Sequence, residues 1–261
     1  MPLDDIRSYV VDSLHKSSLS VLMLDYDGTL APFRATRDMA FPYPGVREVL
    51  DRMMESQQTR LVIVSGRAIS DLMPLLGLKA FPEIWGSHGW ERRMADGSYS
   101  LLPVDGKYLD GLAEAQLSIK RNDLSNFLET KPRSVALHWR GLPAEKKAAI
   151  SGIVDREMRP IAESHDLEIR EFDGGVELRL PGRNKGDVVS SILAEMSEPG
   201  FCAYLGDDQT DEDAFEAVSD RGLGILVRAD ERPTKARARL AAPKELIEFL
   251  HLWESSVKER R

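Results

Sequence analysis

Four short stretches of this sequence could do chemistry together. Asp25-Tyr26-Asp27-Gly28-Thr29 sets two carboxylates two residues apart. Gly206 is followed by Asp207, Asp208 and Asp211. Ser65-Gly66-Arg67 offers a hydroxyl, and Lys185 offers a cation. Carboxylates gathered at one place repel each other, and a bound divalent cation is the usual resolution. Oxygen-only donors with no neighbouring His or Cys favour Mg²⁺ over zinc. A Lys and a Ser beside them suit an anion with several oxygens. Together they describe a site for a phosphoryl group bridged by Mg²⁺.

Each stretch alone also has a plain reading. Asp and Gly are common turn residues, so Asp25 to Thr29 could simply end a strand. Ser65-Gly66-Arg67 could be a turn. The surroundings of Lys185 do not form the Gly-rich phosphate loop of nucleotide-binding proteins. Asp207 to Asp213 could be an acidic helix start, and it lacks the Gly and Glu of a calcium loop. The order of the four stretches, each at a strand end or helix start, favours chemistry.

The elements that must position them are legible as periodicity. Val21-Leu22-Met23-Leu24 and Leu61-Val62-Ile63-Val64 are uninterrupted apolar runs, the mark of strands buried on both faces. Val46, Val49, Leu50, Met53 and Met54 recur at helical spacing after Pro44-Gly45. A short helix is expected over 69–76, stopped by Gly77, and an extended stretch over 83–93. Residues 107–129 read as one long helix, 134–140 as a strand and 143–163 as an amphipathic helix. Strands over 166–172 and 176–180 meet at Asp173-Gly174-Gly175, a hairpin-like turn. The strands of this middle part have no uninterrupted apolar run, so one face should be covered and the other exposed. Further on come a helix over 186–196, a strand over 201–205, and a helix over 210–218 with Thr210 as its cap. A strand over 223–227 and a helix over 244–258 follow. Arg232 to Arg239 reads as a basic, solvated helical stretch.

Strands alternating with helices imply a parallel sheet. The expected fold is α/β, a doubly wound parallel-sheet core over 1–103 and 181–261, interrupted by an inserted α+β module over 104–180. Ligands in such sheets bind outside the carboxyl ends of the strands, where these polar stretches fall.

The order of the four stretches resembles the haloacid dehalogenase-like phosphatases. That resemblance implies that Asp25 attacks phosphorus and Asp27 serves as acid, then base. It implies Mg²⁺ on Asp25, the backbone carbonyl of Asp27, and Asp207. Ser65, Gly66 and Lys185 would hold the phosphoryl oxygens. Asp208 and Asp211 would orient metal-bound water or Lys185.

From about Ser20 onward the chain also resembles the trehalose-6-phosphate phosphatase family. The matching stretches include Ser87-His88-Gly89-Trp90-Glu91-Arg92-Arg93, Ala136-Leu137-His138-Trp139-Arg140, Val176-Glu177-Leu178-Arg179, and Leu205 through Glu212. In that family the insert is a cap that reads the sugar. The resemblance implies substrate contacts from Arg67, His88, Lys131, His138, Arg140, Glu177 and Arg179. His138 with Arg140, and Glu177 with Arg179, share strand faces and could equally be solvated groups or plain cross-strand charge pairs. Pro181 stands one position later than the family's Pro, and Ser87 stands where some relatives have an acid. The expected function is Mg²⁺-dependent hydrolysis of trehalose 6-phosphate. Another sugar phosphate, such as sucrose phosphate or a glycosyl phosphoglycerate, and a catalytically silent sugar-phosphate-binding module remain open alternatives.

Composition bounds these readings. The chain has 261 residues, 42% hydrophobic and 30% charged, with a formal net charge of −8. An acidic balance argues against gripping nucleic acid or an anionic membrane. Cys202 is the single cysteine, which fits a reducing compartment. The first 20 residues lack the apolar stretch of a signal peptide. No apolar run approaches the roughly 20 residues of a membrane helix. A cytoplasmic enzyme is expected, with any sugar-phosphate synthase a separate partner.

Overall fold

The two apolar runs lie side by side at the centre of an eight-stranded sheet in the computed structural model, which describes residues 3–34, 36–172, 174–198 and 200–260. The chain begins with α1 (Leu3–His15), β1 (Leu19–Leu24), α2 (Val46–Ser56), β2 (Arg60–Val64) and α3 (Ile69–Leu76). β3 (Glu83–Gly86), β4 (Glu91–Arg93) and β5 (Tyr99–Leu101) follow. Next come α4 (Gly106–Arg121), β6 (Leu128–Lys131), β7 (Ser134–His138), α5 (Ala144–Ile153), α6 (Arg159–Ser164), β8 (Glu168–Phe172) and β9 (Gly175–Arg179). The chain closes with α7 (Lys185–Ala194), β10 (Gly200–Gly206), α8 (Glu212–Val218), β11 (Gly222–Val227), β12 (Ala238–Leu240) and α9 (Lys244–Lys258).

These elements form two compact units. Residues Met1–Ser100 with Asn184–Arg261 make one, and Leu101–Arg183 make the other. In the first unit the sheet order is β12-β11-β10-β1-β2-β3-β4-β5, parallel from β12 to β3. Leu22, Leu24, Leu61, Ile63, Ala203 and Leu205 share a core with α1, α2, α3 and α9. On the opposite face, Tyr204 of β10 meets Phe215 of α8 edge to face at 5.7 Å. Both faces are covered, which is why the central strands are apolar throughout. The register pairs Leu24 with Leu205 on one side and Ile63 on the other. The strand ends therefore stop at one level, and the polar residues that follow them emerge together.

The second unit holds a four-stranded antiparallel sheet, β6-β7-β9-β8. Val135, Leu137, Val176 and Leu178 lie on one face and are buried, with α4 packed against β7. The opposite face of the central strands was expected to be exposed, yet Ser134, Ala136 and Glu177 are buried as well. Lys131 and Ser134 both close onto Glu177, which removes that face from water.

Other local expectations also change. The helix expected over 107–129 ends at Arg121, because the Asn122 side chain turns back to the Ser118 carbonyl and Asp123 takes a left-handed φ of 58°. The extended stretch 83–93 is broken by a tight turn at Ser87–Gly89. Asp208, not Thr210, caps the turn into α8, accepting from Gln209 N–H while Asp211 answers as the reciprocal partner. Arg232 to Arg239 is not a helix: Pro233 interrupts it, and Ala238 and Leu240 alternate inward as strand β12. Asp173 of the hairpin turn lies outside the described residues. Among the described residues, no helix is long and apolar enough to cross a membrane.

α9 is tied to α2 by a forked ion pair. Arg52 donates to both oxygens of Glu254 at 2.8 and 2.9 Å, and Lys258 adds a third bond at 2.7 Å. The Arg52 bonds lead in holding the Glu254 carboxyl down from 4.5 to about 2. A depressed folded-state value means stability that is full above the unfolded value and is lost as pH falls from 4.5 toward 2. Glu254→Gln should destabilise the protein by about 2 kcal/mol at neutral pH. Urea midpoints for the two proteins should converge as the pH is lowered through that window.

Candidate functional site

Asp25 stands one residue past β1, its N–H held by the Leu205 carbonyl at 2.8 Å. The side chain is buried. One carboxylate oxygen, Oδ1, accepts from Lys185 Nζ at 2.7 Å, and the other, Oδ2, is a buried oxygen with no hydrogen-bond partner. Burial pushes the Asp25 carboxyl up to about 7, with Lys185 pulling it down and Asp211 and Asp27 pushing it up.

Asp207 ends β10 in the same way. Its carboxylate lies directly over Gly28, where a Cβ would stand 2.1 Å from Oδ2. Gly28 also has φ +87°, so the first motif needs glycine for both conformation and space. Burial, then the charges of Asp25 and Asp211, push the Asp207 carboxyl up to about 9.

Asp211 is the frame of this group. Its Oδ1 accepts from Lys185 Nζ at 2.7 Å and from the Tyr204 hydroxyl at 2.6 Å. Its Oδ2 accepts the backbone N–H groups of Asp207 and Asp208, both at 3.0 Å. Gly206 makes the room, since a Cβ there would strike the Asp211 side chain. Lys185 is the first residue of α7, set by the reciprocal cap between Asn184 and Asp187. Burial opposes its charge, yet Asp211 and Asp25 outweigh that and hold its pKa above the ordinary lysine value.

Asp25, Asp207 and Asp211 each offer an oxygen within 4.8 Å of the others. One ammonium faces three buried carboxyl groups, so it cannot balance them when all three are ionised. Four hydrogen bonds occupy Asp211, which leaves the Asp25 Oδ2 atom and the Asp207 carboxylate to bind a ligand. An orphaned buried oxygen beside a second carboxylate, with oxygen donors only, fits a hard divalent cation. Asp208 is exposed and serves as the cap of the turn rather than pointing into this group.

The Ser65-Gly66-Arg67 stretch reaches the end of β1 through Arg67, which bonds Asp27. Ser65, buried at the end of β2, has its N–H on the Trp85 carbonyl at 2.8 Å, and its Oγ accepts the Arg67 N–H at 3.1 Å. A Cβ on Gly66 would lie 2.6 Å from the His88 ring, so glycine lets that imidazole approach the turn. Ser87 and His88 both adopt left-handed φ values of 48° and 56°, unusual away from glycine. The His88 N–H to Ser65 O bond (3.1 Å) and the contact of Ser87 Oγ with buried Glu91 maintain this turn. Arg67 does not point outward as a substrate contact: it is buried, and its guanidinium grips both oxygens of Asp27 at 2.6 and 2.7 Å.

In the second unit, Lys131, Glu177, Arg179 and His138 lie on one face of the sheet, as the pairing of Ser134 with Arg179 and Ala136 with Glu177 requires. Lys131 Nζ and Ser134 Oγ each reach Glu177 Oε1 at 2.7 Å. His138 meets Glu129 at 2.6 Å, and Arg179 meets Glu168 at 3.2 Å. Arg140 falls past the end of β7 and is exposed, so it does not share the strand face with His138.

Two residues with clear roles escaped the sequence reading. Tyr204 sits in an apolar strand, where a buried phenol needs an acceptor, and that need was its signal. Glu91 anchors Ser87 and takes the Tyr99 hydroxyl at 3.0 Å. A carboxylate followed by two arginines in a short strand carries no comparable mark.

Known proteins resemble this chain along most of its length. A trehalose-phosphate phosphatase of Mycobacterium marinum is 31% identical over 241 residues, 87% of this chain and 60% of that protein. This chain thus spans less than two thirds of that relative's length. A crystal structure of a trehalose-6-phosphate phosphatase related protein is 25% identical with a TM-score of 0.74, covering 93% of this chain and all of the other. A haloacid dehalogenase-like hydrolase from Bacteroides thetaiotaomicron shares the fold, with a TM-score of 0.63 at 17% identity over 89% of this chain and 98% of its own. The trehalose-phosphatase family matches residues 23–244, a span that contains every site residue described above, and the chain belongs to that family.

Proposed function

We propose that this protein is a Mg²⁺-dependent phosphatase that hydrolyses trehalose 6-phosphate through an aspartyl-phosphate on Asp25. The observation that carries the reading is the Asp25 carboxylate: one oxygen held by Lys185, the other buried and without a partner beside Asp207. A buried carboxylate in that state is poised to take up a cation or to form a bond.

In the first half of the reaction, Asp25 forms a bond to phosphorus as the bond from phosphorus to the sugar oxygen breaks. Asp27 gives that oxygen a proton. In the second half, water attacks phosphorus, the bond to Asp25 breaks, and Asp27 takes the water's proton. Ser65, the Gly66 backbone and Lys185 hold the phosphoryl oxygens. Asp211 keeps Lys185 aimed, with Tyr204 steadying Asp211. Asp25, Asp207 and the Asp27 carbonyl would hold Mg²⁺, which would supply positive charge to screen the carboxylates from the phosphate.

In this reading the insert selects the sugar. Lys131, Glu177, Arg179 and His138 present donors and acceptors on one sheet face, the chemistry a polyol demands. Arg140 is a further candidate in the insert, and His88 beside Gly66 is a separate candidate in the core. The reducing environment suited to the single buried Cys202 supports a cytoplasmic location.

Three measurements test the reading. Phosphate release from trehalose 6-phosphate, sucrose 6-phosphate, glucose 6-phosphate, glucosyl phosphoglycerate and p-nitrophenyl phosphate should favour the first. Asp25→Asn should be inactive on all, and Asp27→Asn should lose roughly 100- to 10,000-fold; an active Asp25→Asn protein rejects the covalent mechanism. By calorimetric titration, Mg²⁺ should bind the wild type, and Asp207→Asn should weaken that binding by about 10-fold or more. Glu177→Ala should reduce kcat/KM for the disaccharide phosphate by about 100-fold while changing p-nitrophenyl phosphate turnover little. Equal losses on both esters would remove Glu177 from sugar reading.

A further inference from the structure

We propose that Arg67 is the positioning residue for Asp27, holding its carboxylate in the orientation that accepts a proton from the attacking water. The proposal rests on the phosphatase reading above. Asp27 is the most exposed of the four carboxylates Asp25, Asp27, Asp207 and Asp211, with 28% of its side chain exposed where the other three are buried. A short side chain so placed has several rotamers open to it. Two parallel N–H···O bonds fix the plane of a carboxylate as well as its position. Arg67 supplies both, at 2.7 Å from Nε and 2.6 Å from Nη2.

The guanidinium is itself well held. Arg67 is only 2% exposed, and its charge lies 5.7 Å from the centre of the Tyr26 ring. The Tyr26 hydroxyl is bonded to the Ala40 carbonyl at 2.7 Å. The Arg67 backbone is pinned on both sides, its N–H by Ser65 Oγ at 3.1 Å and its carbonyl by the Ser87 N–H at 2.7 Å. The main chain of Arg67 thus belongs to the turn that grips phosphate, while its side chain reaches the end of β1. One residue registers the proton-transfer group against the phosphate-binding turn. Each carboxylate oxygen keeps a further lone pair beyond the one Arg67 uses. The fork therefore leaves Asp27 able to accept a proton. Two donors on an acceptor-only carboxylate match the form Asp27 must have when water attacks. A lysine, with a single point of charge, would not fix the plane.

Rapid-mixing kinetics on p-nitrophenyl phosphate with Mg²⁺ test this, because an aryl alcohol leaves without a proton from Asp27. In Arg67→Gln the first turnover, read as nitrophenol, should stay within about threefold of wild type. Steady-state turnover should fall roughly 10- to 100-fold without a rise in KM, and acid quenching should trap more aspartyl-phosphate. In an Asp27→Asn background, Arg67→Gln should change the steady-state rate by less than about twofold, as expected when one residue acts through the other. Arg67→Lys keeps the charge and loses the fork, and should show the same pattern; it carries the test if the Gln variant does not fold by circular dichroism. A first turnover that falls in step with the steady state overturns the proposal. So does a raised KM at unchanged kcat, which would make Arg67 a substrate contact, and so does an undiminished effect in the Asp27→Asn background. A wild-type protein that releases no phosphate from either this ester or trehalose 6-phosphate overturns the phosphatase reading and this proposal together. Wild-type turnover with the wrong Arg67 kinetics overturns this proposal alone.

Discussion

The buried ammonium of Lys185, bonded at 2.7 Å to both Asp25 and Asp211, is the interaction on which the rest of the site depends. Moving a charge out of water is expensive unless it is paired and hydrogen-bonded. The side chain of Lys185 is 5% exposed, and those of its two partners 4% and 0%, so none of the three tolerates misplacement. This requirement ties three distant parts of the chain together: the end of β1, the start of α7 after the insert, and the turn after β10. One positive charge does not neutralise three carboxylates. Burial first, and then the neighbouring carboxylates, raise the pKa values of Asp25 and Asp207, and one Asp25 oxygen is left without a partner. The same imbalance gives the pocket the oxygen-donor chemistry that suits a hard cation.

Around that triad, steric constraints do as much as charge. Gly28 lets Asp207 approach, Gly206 makes room for Asp211, and Gly66 admits the His88 ring. At α7, a Cβ on Gly186 would lie 2.7 Å from the Asp213 carbonyl, so glycine sets how closely α7 and α8 meet and hence where Lys185 sits. The left-handed pair Ser87 and His88 stores backbone strain of a kind that clusters at functional sites. Buried Glu91 holds that strain in place. The insert solves a similar problem by another route, closing Lys131 and Ser134 onto Glu177 across its antiparallel strands.

Much of this was open to inspection in the linear chain. A strand buried on both faces must be apolar at every position, so its last residue is marked by the first Asp or Ser. Parallel strands ending at one level then bring those residues together. That logic points to Asp25, Ser65 and Asp207, while Lys185 stands out as the start of a helix after an insert of weaker periodicity. The sequence reading gives Asp211 a supporting role, and in the structure its carboxylate accepts four hydrogen bonds. Local signals failed where local rules competed. Residues 107–129 are helix-prone as a window, yet Asn122 and Asp123 end the helix by bonding and bending at one point. The basic run from Arg232 looked helical by composition, while Pro233 and the inward alternation of Ala238 and Leu240 made it a strand.

What the sequence determined by itself was the order of elements, the residue types at the strand ends and the family to which they belong. Those depend on periodicity and on motifs only a few residues long. The tertiary structure alone decided which charges meet. Arg67 and Asp27 are 40 residues apart, Lys185 and Asp25 are 160 apart, and Tyr204 finds Asp211 only because a turn folds back over β10. A side chain's partner is set by register, by burial and by the space a neighbouring glycine leaves. These are properties of packed elements, and they take values only once the chain has folded.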